Sequence, residues 1–309
     1  MKIETLVHSA AALLCAGLMC SGTSYAAKHG FNLNVNDDAE TCADLKVSSK
    51  DGEVAKLSDM MTMTRAEAPL LELNGGDRSN IQVRGWDKAT YSVETCKVAV
   101  AATRAEAEQM ARGISVTRSA GRLSMSGPAE SESGQWQAVF LIHAPKDASV
   151  SLETNNGPIS VRDLSGTVKL RALNGPLAIR DCGGTVDAQT TNGPIAFTGD
   201  RGEVSLNAKN GPIALKLGSL DWNGSKLEAH TINGPLAVSV PENFRSGMRL
   251  ETAGHAPLSC SAAPCKNAFT DASRNGRTLQ MNGTNDTIRL STENGPVAIH
   301  STDGKARLF

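Results

Sequence analysis

The chain has 309 residues, with 31 Lys+Arg against 32 Asp+Glu and a formal net charge of −1. That length buries a sizeable core as one large domain or two, and the near-neutral balance lacks the basic face a nucleic-acid binder needs for phosphates. With 4% aromatics, 29 Gly and recurring Asn-Gly pairs, the composition disfavours a helical bundle and favours many short strands joined by turns.

At the N terminus, Lys2, an apolar run over 10–19 and the small-residue site Ser24-Tyr25-Ala26 read as a signal peptide, 1–26. A lipoprotein would acylate Cys15 or Cys20, but Leu14 and Met19 stand where a small residue is required. No later stretch is apolar enough for a transmembrane anchor, so the expectation is export, to the periplasm, the cell surface or the medium. In an oxidising compartment five cysteines remain after cleavage. Cys260 and Cys265 flank a short loop and form the easiest pair; Cys42 and Cys96 make the second, and Cys182 is left as a small buried thiol. No Cys-x-x-Cys or Cys/His spacing suggests a metal.

Residues 27–66 are polar and weakly patterned, an irregular N-terminal segment. Residues 67–148 read as a diverged β-rich cap. Within it Leu71 and Leu73, then Ile81 and Val83, look like a pair of strands across Asn74-Gly75-Gly76. Thr103 and Glu106 form a capping box on a short helix ended by Gly113. A hairpin follows, turning at Ala120-Gly121, and then a strand over 136–143 with Ala138, Phe140 and Ile142 on one face.

Residues 149–302 carry the main signal. Asn-Gly-Pro occurs at Asn156, Asn174, Asn192 and Asn210, each 18 residues after the last, then at Asn233 and Asn294. Between these turns the chain alternates, with Val150, Val168, Val186 and Val204 in one column and Ile159, Leu177, Ile195, Ile213 and Leu236 in another. Fixed spacing with period-two alternation predicts an all-β fold, a two-sheet β-solenoid or β-roll-like stack of about 18-residue rungs. A sandwich of antiparallel hairpins is the competitor. The Asn column is expected to bond up and down as a ladder. Gly157, Gly175, Gly193, Gly211, Gly234 and Gly295 are expected to supply a positive φ, and Pro the exit direction. Residues 241–280 depart from the period and read as a lateral excursion, and 303–309 as a tail.

Candidate binding residues follow from that stack. Ser160, Ala178, Ala196, Ala214, Ala237 and Ala298 should point outward as a flat row, bordered by Arg162, Arg180, Thr198, Lys216 and Ser239. This row is either a docking face or covered by the 27–66 or 241–280 segment. Trp222 sits in a ten-residue stretch, 217–226, that holds the extra residues before Asn233. It is either displayed or folded back over the stack. Asp163 and Asp181 would stack as a glycosidase-like carboxylate pair, or act as turn residues bonding their own backbone. His230, His255 and His300 lie in separate units without ligand spacing. Nucleophile-elbow, zinc-protease, phosphate-loop and dinucleotide motifs are absent, as is the acidic calcium run of nonapeptide rolls. No cofactor and no metal are expected.

The Asn-Gly-Pro-Ile rungs at 156–159, 192–195 and 210–213, with Ile81-Gln82-Val83-Arg84-Gly85-Trp86-Asp87 followed by a short helix and hairpin, resemble the bacterial putative-adhesin family of unknown function. The resemblance covers roughly residues 67–302. It implies an exported, repeat-rich β protein associated with the surface or envelope, and it brings no catalytic residues. The functional expectation is therefore a non-enzymatic, adhesin-like binding or scaffolding protein whose partner is an envelope protein or a polysaccharide. The alternatives are a carbohydrate-active enzyme using Asp163 and Asp181, or an envelope-stress sensor with a rigid spacer.

Overall fold

The computed structural model describes residues 31–129, 134–254, 256–273, 276–283 and 287–302. The expected leader at 1–26, His255 and the tail at 303–309 lie outside the described residues. Among the described residues the chain is mostly β and falls into two compact units that divide between Gly166 and Thr167. No helix there is long and apolar enough to cross a membrane.

The first unit opens with a hairpin, β1 (Phe31–Asn34) with β2 (Lys46–Ser49), and a twelve-residue strand β3 (Glu53–Thr64). Next come β4 (Leu70–Asn74), β5 (Ser79–Trp86), β6 (Thr90–Ala101) and helix α1 (Arg104–Arg112). The unit ends with β7 (Ser115–Ser119), β8 (Arg122–Ser126), β9 (Gly134–Pro145), β10 (Ser149–Asn156) and β11 (Ile159–Arg162). Apart from the hairpin, they build two sheets, ordered β10-β4-β8-β7 and β11-β5-β9-β6-β3. The strand pair expected from Leu71 to Val83 is present. Leu71 and Leu73 lie beside Val150 and Leu152, and Ile81 and Val83 beside Ile159 and Val161, all in parallel register.

Local chemistry sets the connections. Thr103 and Glu106 close a reciprocal capping box at the start of α1. The β7–β8 hairpin turns on Ala120 (φ 47°) and Gly121 (φ 81°), both left-handed as a two-residue hairpin turn of this hand demands. Gly113 ends α1 for a different reason than the usual left-handed cap. Its φ is −70°, and a Cβ there would stand 2.7 Å from Pro128 Cγ.

The N-terminal segment is more ordered than its sequence suggests. β3 pairs along its whole length with β6, which pairs with β9, all antiparallel. Both faces of β9 are buried: Ala138, Phe140 and Ile142 on one side, Val139 and Leu141 on the other. That second side packs against Leu33, Val35 and Leu45 in a cluster that also holds Cys42, Cys96 and Val98. The expected irregular stretch thus supplies the edge strand β3 and, through Leu33, Val35 and Leu45, a cover for this sheet.

The second unit repeats one pattern. Its strands are β12 (Val168–Asn174), β13 (Leu177–Arg180), β14 (Thr185–Asn192), β15 (Ile195–Thr198), β16 (Glu203–Asn210) and β17 (Ile213–Lys216). Then come β18 (Lys226–Asn233), β19 (Leu236–Val240), β20 (Met248–Ala253), β21 (Leu258–Cys260), β22 (Phe269–Ser273), β23 (Gly276–Met281), β24 (Ile288–Thr292) and β25 (Val297–Ser301). Strands from β12 to β21 alternate between two open sheets, so each rung contributes one strand to each sheet. Like columns meet in parallel register: Val168 by Val186 by Val204 by Leu227, and Leu177 by Ile195 by Ile213 by Leu236. Among the described residues successive repeats pair in parallel, and the antiparallel pairing that a hairpin sandwich needs does not occur between them. The inward columns are close to fully buried, and each such aliphatic side chain contributes roughly 1.5–3 kcal/mol.

Residues 241–280 differ from the lateral excursion expected. β20 pairs in parallel with β24, and β21 with β25, so this stretch supplies a further rung. Pro257 even takes the place of the repeat proline, its carbonyl accepting from Val297 N at 2.9 Å. The sequence hides the rung because its turn lacks Asn-Gly. In space β24 lies between β18 and β20, and β25 between β19 and β21.

Candidate binding surfaces

The turn residues are structural. In the second unit the Asn side chains form a continuous amide ladder: Asn192 Nδ2 donates to Asn174 Oδ1 (2.8 Å), Asn210 to Asn192 (2.9 Å), Asn233 to Asn210 (2.8 Å) and Asn294 to Asn233 (3.0 Å). In the first unit Asn156 donates instead to Asp77. The glycines correct the sequence reading. Of the six turn glycines only Gly157 has a positive φ, at 142°. Four of the others are required by close approach. A Cβ on Gly193, Gly211, Gly234 or Gly295 would lie 2.0–2.3 Å from the carbonyl oxygen of the turn glycine one rung away, that of Gly175 for Gly193. A buried threonine two residues before the Asn seals the same turn. Thr190, Thr231 and Thr292 donate to the carbonyls of Gly175, Gly211 and Gly234 at 3.3, 2.8 and 3.0 Å. Sequence reasoning missed this column, although Thr154, Thr190 and Thr231 alternate there with Ala172 and Ala208 before Thr292.

The alanine row exists as a register. Ala178, Ala196, Ala214, Ala237 and Ala298 sit side by side on β13, β15, β17, β19 and β25. The first four are half-buried, as small residues are on an open sheet face, while Ala298 is buried. Two positions earlier runs a second outward column, Pro176, Pro194, Pro212, Pro235 and Pro296, also half-buried. Along the border Arg180, Thr198 and Ser239 are half-buried and Lys216 is exposed. In the first unit the corresponding positions, Ser160 and Arg162, meet a different fate. Arg162 Nη1 pairs with Asp38 at 3.3 Å, Arg84 pairs with Glu40, and Gln82 donates to the Asn36 carbonyl, so the N-terminal segment crosses that face. Nearby His143 stacks on Trp86, and burial first, then the Arg84 charge, lowers its pKa.

Trp222 is buried, with its ring 6.1 Å from that of Phe197. It closes the interior of its rung and is not displayed to a ligand. Asp163 and Asp181 are exposed and occupy left-handed turn positions, φ 61° and 52°. Asp adopts that conformation more readily than most residues, so the backbone itself explains both.

Both expected disulfides are formed, Cys42–Cys96 and Cys260–Cys265, and Cys182 is a buried thiol directed at the Arg180 carbonyl. Glu94 stands beside the first bridge and is buried. Its carboxylate accepts from Ser58 Oγ (2.5 Å) and Cys42 N (3.2 Å). With both sulfurs bonded to each other, that cluster is a hydrogen-bonded core and not a metal centre.

A surface that sequence reasoning overlooked lies on the outward side of the sheet containing β16, β18, β24 and β20. A groove of about 470 Å³ is lined there by two columns of polar side chains. Ser205, Glu228, Arg289 and Arg249 form one, in register across the four strands. Asn207, His230, Ser291 and Glu251 form the other. The columns arise because every second residue of a parallel strand faces outward. They are hidden in the primary structure because β20 carries no Asn-Gly-Pro turn, and because the Asn294 rung, which restores the alternation, follows Asn233 only after 61 residues.

No family model matches the chain, and no curated protein matches it. Among solved structures, a putative adhesin from Parabacteroides distasonis ATCC 8503 is 10% identical, with a TM-score of 0.41 over 81% of this chain and 98% of that one. A putative cell adhesion protein from Clostridium sporogenes ATCC 15579 is 10% identical, with a TM-score of 0.33 over 80% and 99%. A putative lipid binding protein from Parabacteroides distasonis ATCC 8503 is 11% identical, with a TM-score of 0.34 over 81% and 99%. At scores this low the likeness settles neither fold nor function.

Proposed function

We propose that the chain is an exported, non-enzymatic, adhesin-like binding or scaffolding protein of the bacterial cell envelope. In this reading the strands coil as a two-sheet β-solenoid whose rungs hold a flat face toward a partner. The observation that carries it is the pair of outward Pro and Ala columns, in register over β13, β15, β17 and β19 and half-buried along those strands. A side-chain row without long or charged groups loses little entropy and little hydration when a flat partner is laid on it. Export is supported by two disulfides, which persist in oxidising compartments. The turn conformation of Asp163 and Asp181 favours a structural role over carboxylate catalysis.

The test is a double variant, Ala196→Glu with Ala214→Glu, in a capture experiment against envelope proteins and polysaccharides. Capture by the wild type should be abolished while secretion level and far-UV spectrum stay unchanged. Undiminished capture, or loss of the folded spectrum, would remove the face from consideration.

A further inference from the structure

The groove over β16, β18, β24 and β20 is separate from the Pro and Ala columns, which lie on the other sheet. Its charges are almost fully matched. Glu228 pairs with Lys226 at 3.2 Å and Arg249 Nε with Glu251 Oε1 at 2.7 Å. His230 is held between Ser291 Oγ (2.8 Å from Nδ1) and Glu293 (3.6 Å from Nε2). Arg289 is the exception. It is exposed and makes no ion pair among the described residues, and in the parallel register it stands between Glu228 on one side and Arg249 on the other. Like charges set opposite one another on a sheet destabilise it, and an anion bridging them relieves that.

We propose that this groove binds an acidic glycan, with the carboxylate of a uronic-acid unit seated on Arg289 and the sugar hydroxyls on the flanking polar groups. Guanidinium is suited to planar, two-pronged recognition of carboxylate. Ser205, Asn207 and Ser291 offer donors and acceptors spaced for a polyhydroxylated chain crossing the strands. Glu228 can accept from hydroxyls, and with Glu251 it would repel a densely charged polyphosphate. The volume falls within the range of sites that hold small ligands, and the groove is built by rigid strands.

The experiment is calorimetric titration of the wild-type chain with the trisaccharide of galacturonic acid, alongside the neutral galactose trisaccharide and a Glu-rich peptide. Binding of the acidic trisaccharide alone is expected, weakening as salt is raised. Arg289→Ala should reduce it by about ten- to a hundredfold, the range for a lost charge-assisted hydrogen bond, and Arg289→Lys by less. Because Arg289 is exposed, both variants should keep the wild-type spectrum and urea midpoint. The Ala196→Glu, Ala214→Glu variant should bind the acidic trisaccharide as the wild type does, which keeps this proposal distinct from the flat-face reading. Equal binding of the neutral sugar, no binding of the acidic one, or full affinity in Arg289→Ala would overturn it. Preferential binding of the acidic peptide would reassign the groove to a protein partner.

Discussion

A single hydrogen atom decides the turn. Where Gly193, Gly211, Gly234 and Gly295 stack, the backbone of one rung lies so near the next that a methyl group meets a carbonyl oxygen. Gly211→Ala places its Cβ 2.0 Å from the Gly193 carbonyl, and backbone cannot swing aside as a side chain does. Overpacking of this kind costs roughly 2–3 kcal/mol. Gly218→Ala is the matched control. No atom lies within 4 Å of its Cβ and its φ is not left-handed, so the change should be neutral or add up to about 1 kcal/mol. Urea midpoints of the two variants check this, and equal midpoints would refute the close-approach account. The Asn-Gly-Pro spacing was thus legible as a turn signal from the sequence, while its cause was not. Positive φ is the property of Gly that a sequence advertises; the absence of Cβ in a stacked backbone shows only once the rungs are placed.

At the scale of elements, the parallel columns were readable because strict alternation at constant spacing leaves one register that buries every aliphatic residue. The hairpin β1–β2 and the strand β3 were not, because their cover is made by scattered residues such as Leu33, Val35 and Leu45 without a period. The Cys42–Cys96 bridge ties that cover to β6. Loop closure over a separation of 54 residues is worth about 4 kcal/mol, against about 2 for the separation of 5 between Cys260 and Cys265. Cys42→Ala with Cys96→Ala should therefore lower unfolding stability about twice as much as Cys260→Ala with Cys265→Ala. It should also loosen the amides of β1 and β2 in hydrogen exchange before those of β9. Equal losses from the two double variants would show that the hairpin holds its place by apolar packing alone.

At the scale of the molecule, the order of strands in space departs from their order in the chain. In the second unit the last strands, β24 and β25, occupy a position inside their sheets, between strands made earlier. The extra residues at 217–226 explain how the place is kept open. Arg245 N donates to the Leu220 carbonyl (2.8 Å), Trp222 N to Ser246 Oγ (2.8 Å), and Arg245 pairs with Asp221, so the 241–247 connector is pinned to the enlarged loop. Phe244 is buried and Asn282 Nδ2 reaches the Phe244 carbonyl at 2.9 Å, which fixes the connector from the other side. With β20 held two strand spacings from β18, about 9.6 Å away, a chain ending at Gly283 should leave a vacant strand position that it cannot close. Amides of β18, β19, β20 and β21 that bond to β24 and β25 should then lose protection in hydrogen exchange, while those that β20 directs at β23, and those of β12 to β15, keep theirs. Wild-type protection of those residues of 248–253 whose amides face β24 would mean that β20 had moved against β18, and that the pinned connector does not set the spacing.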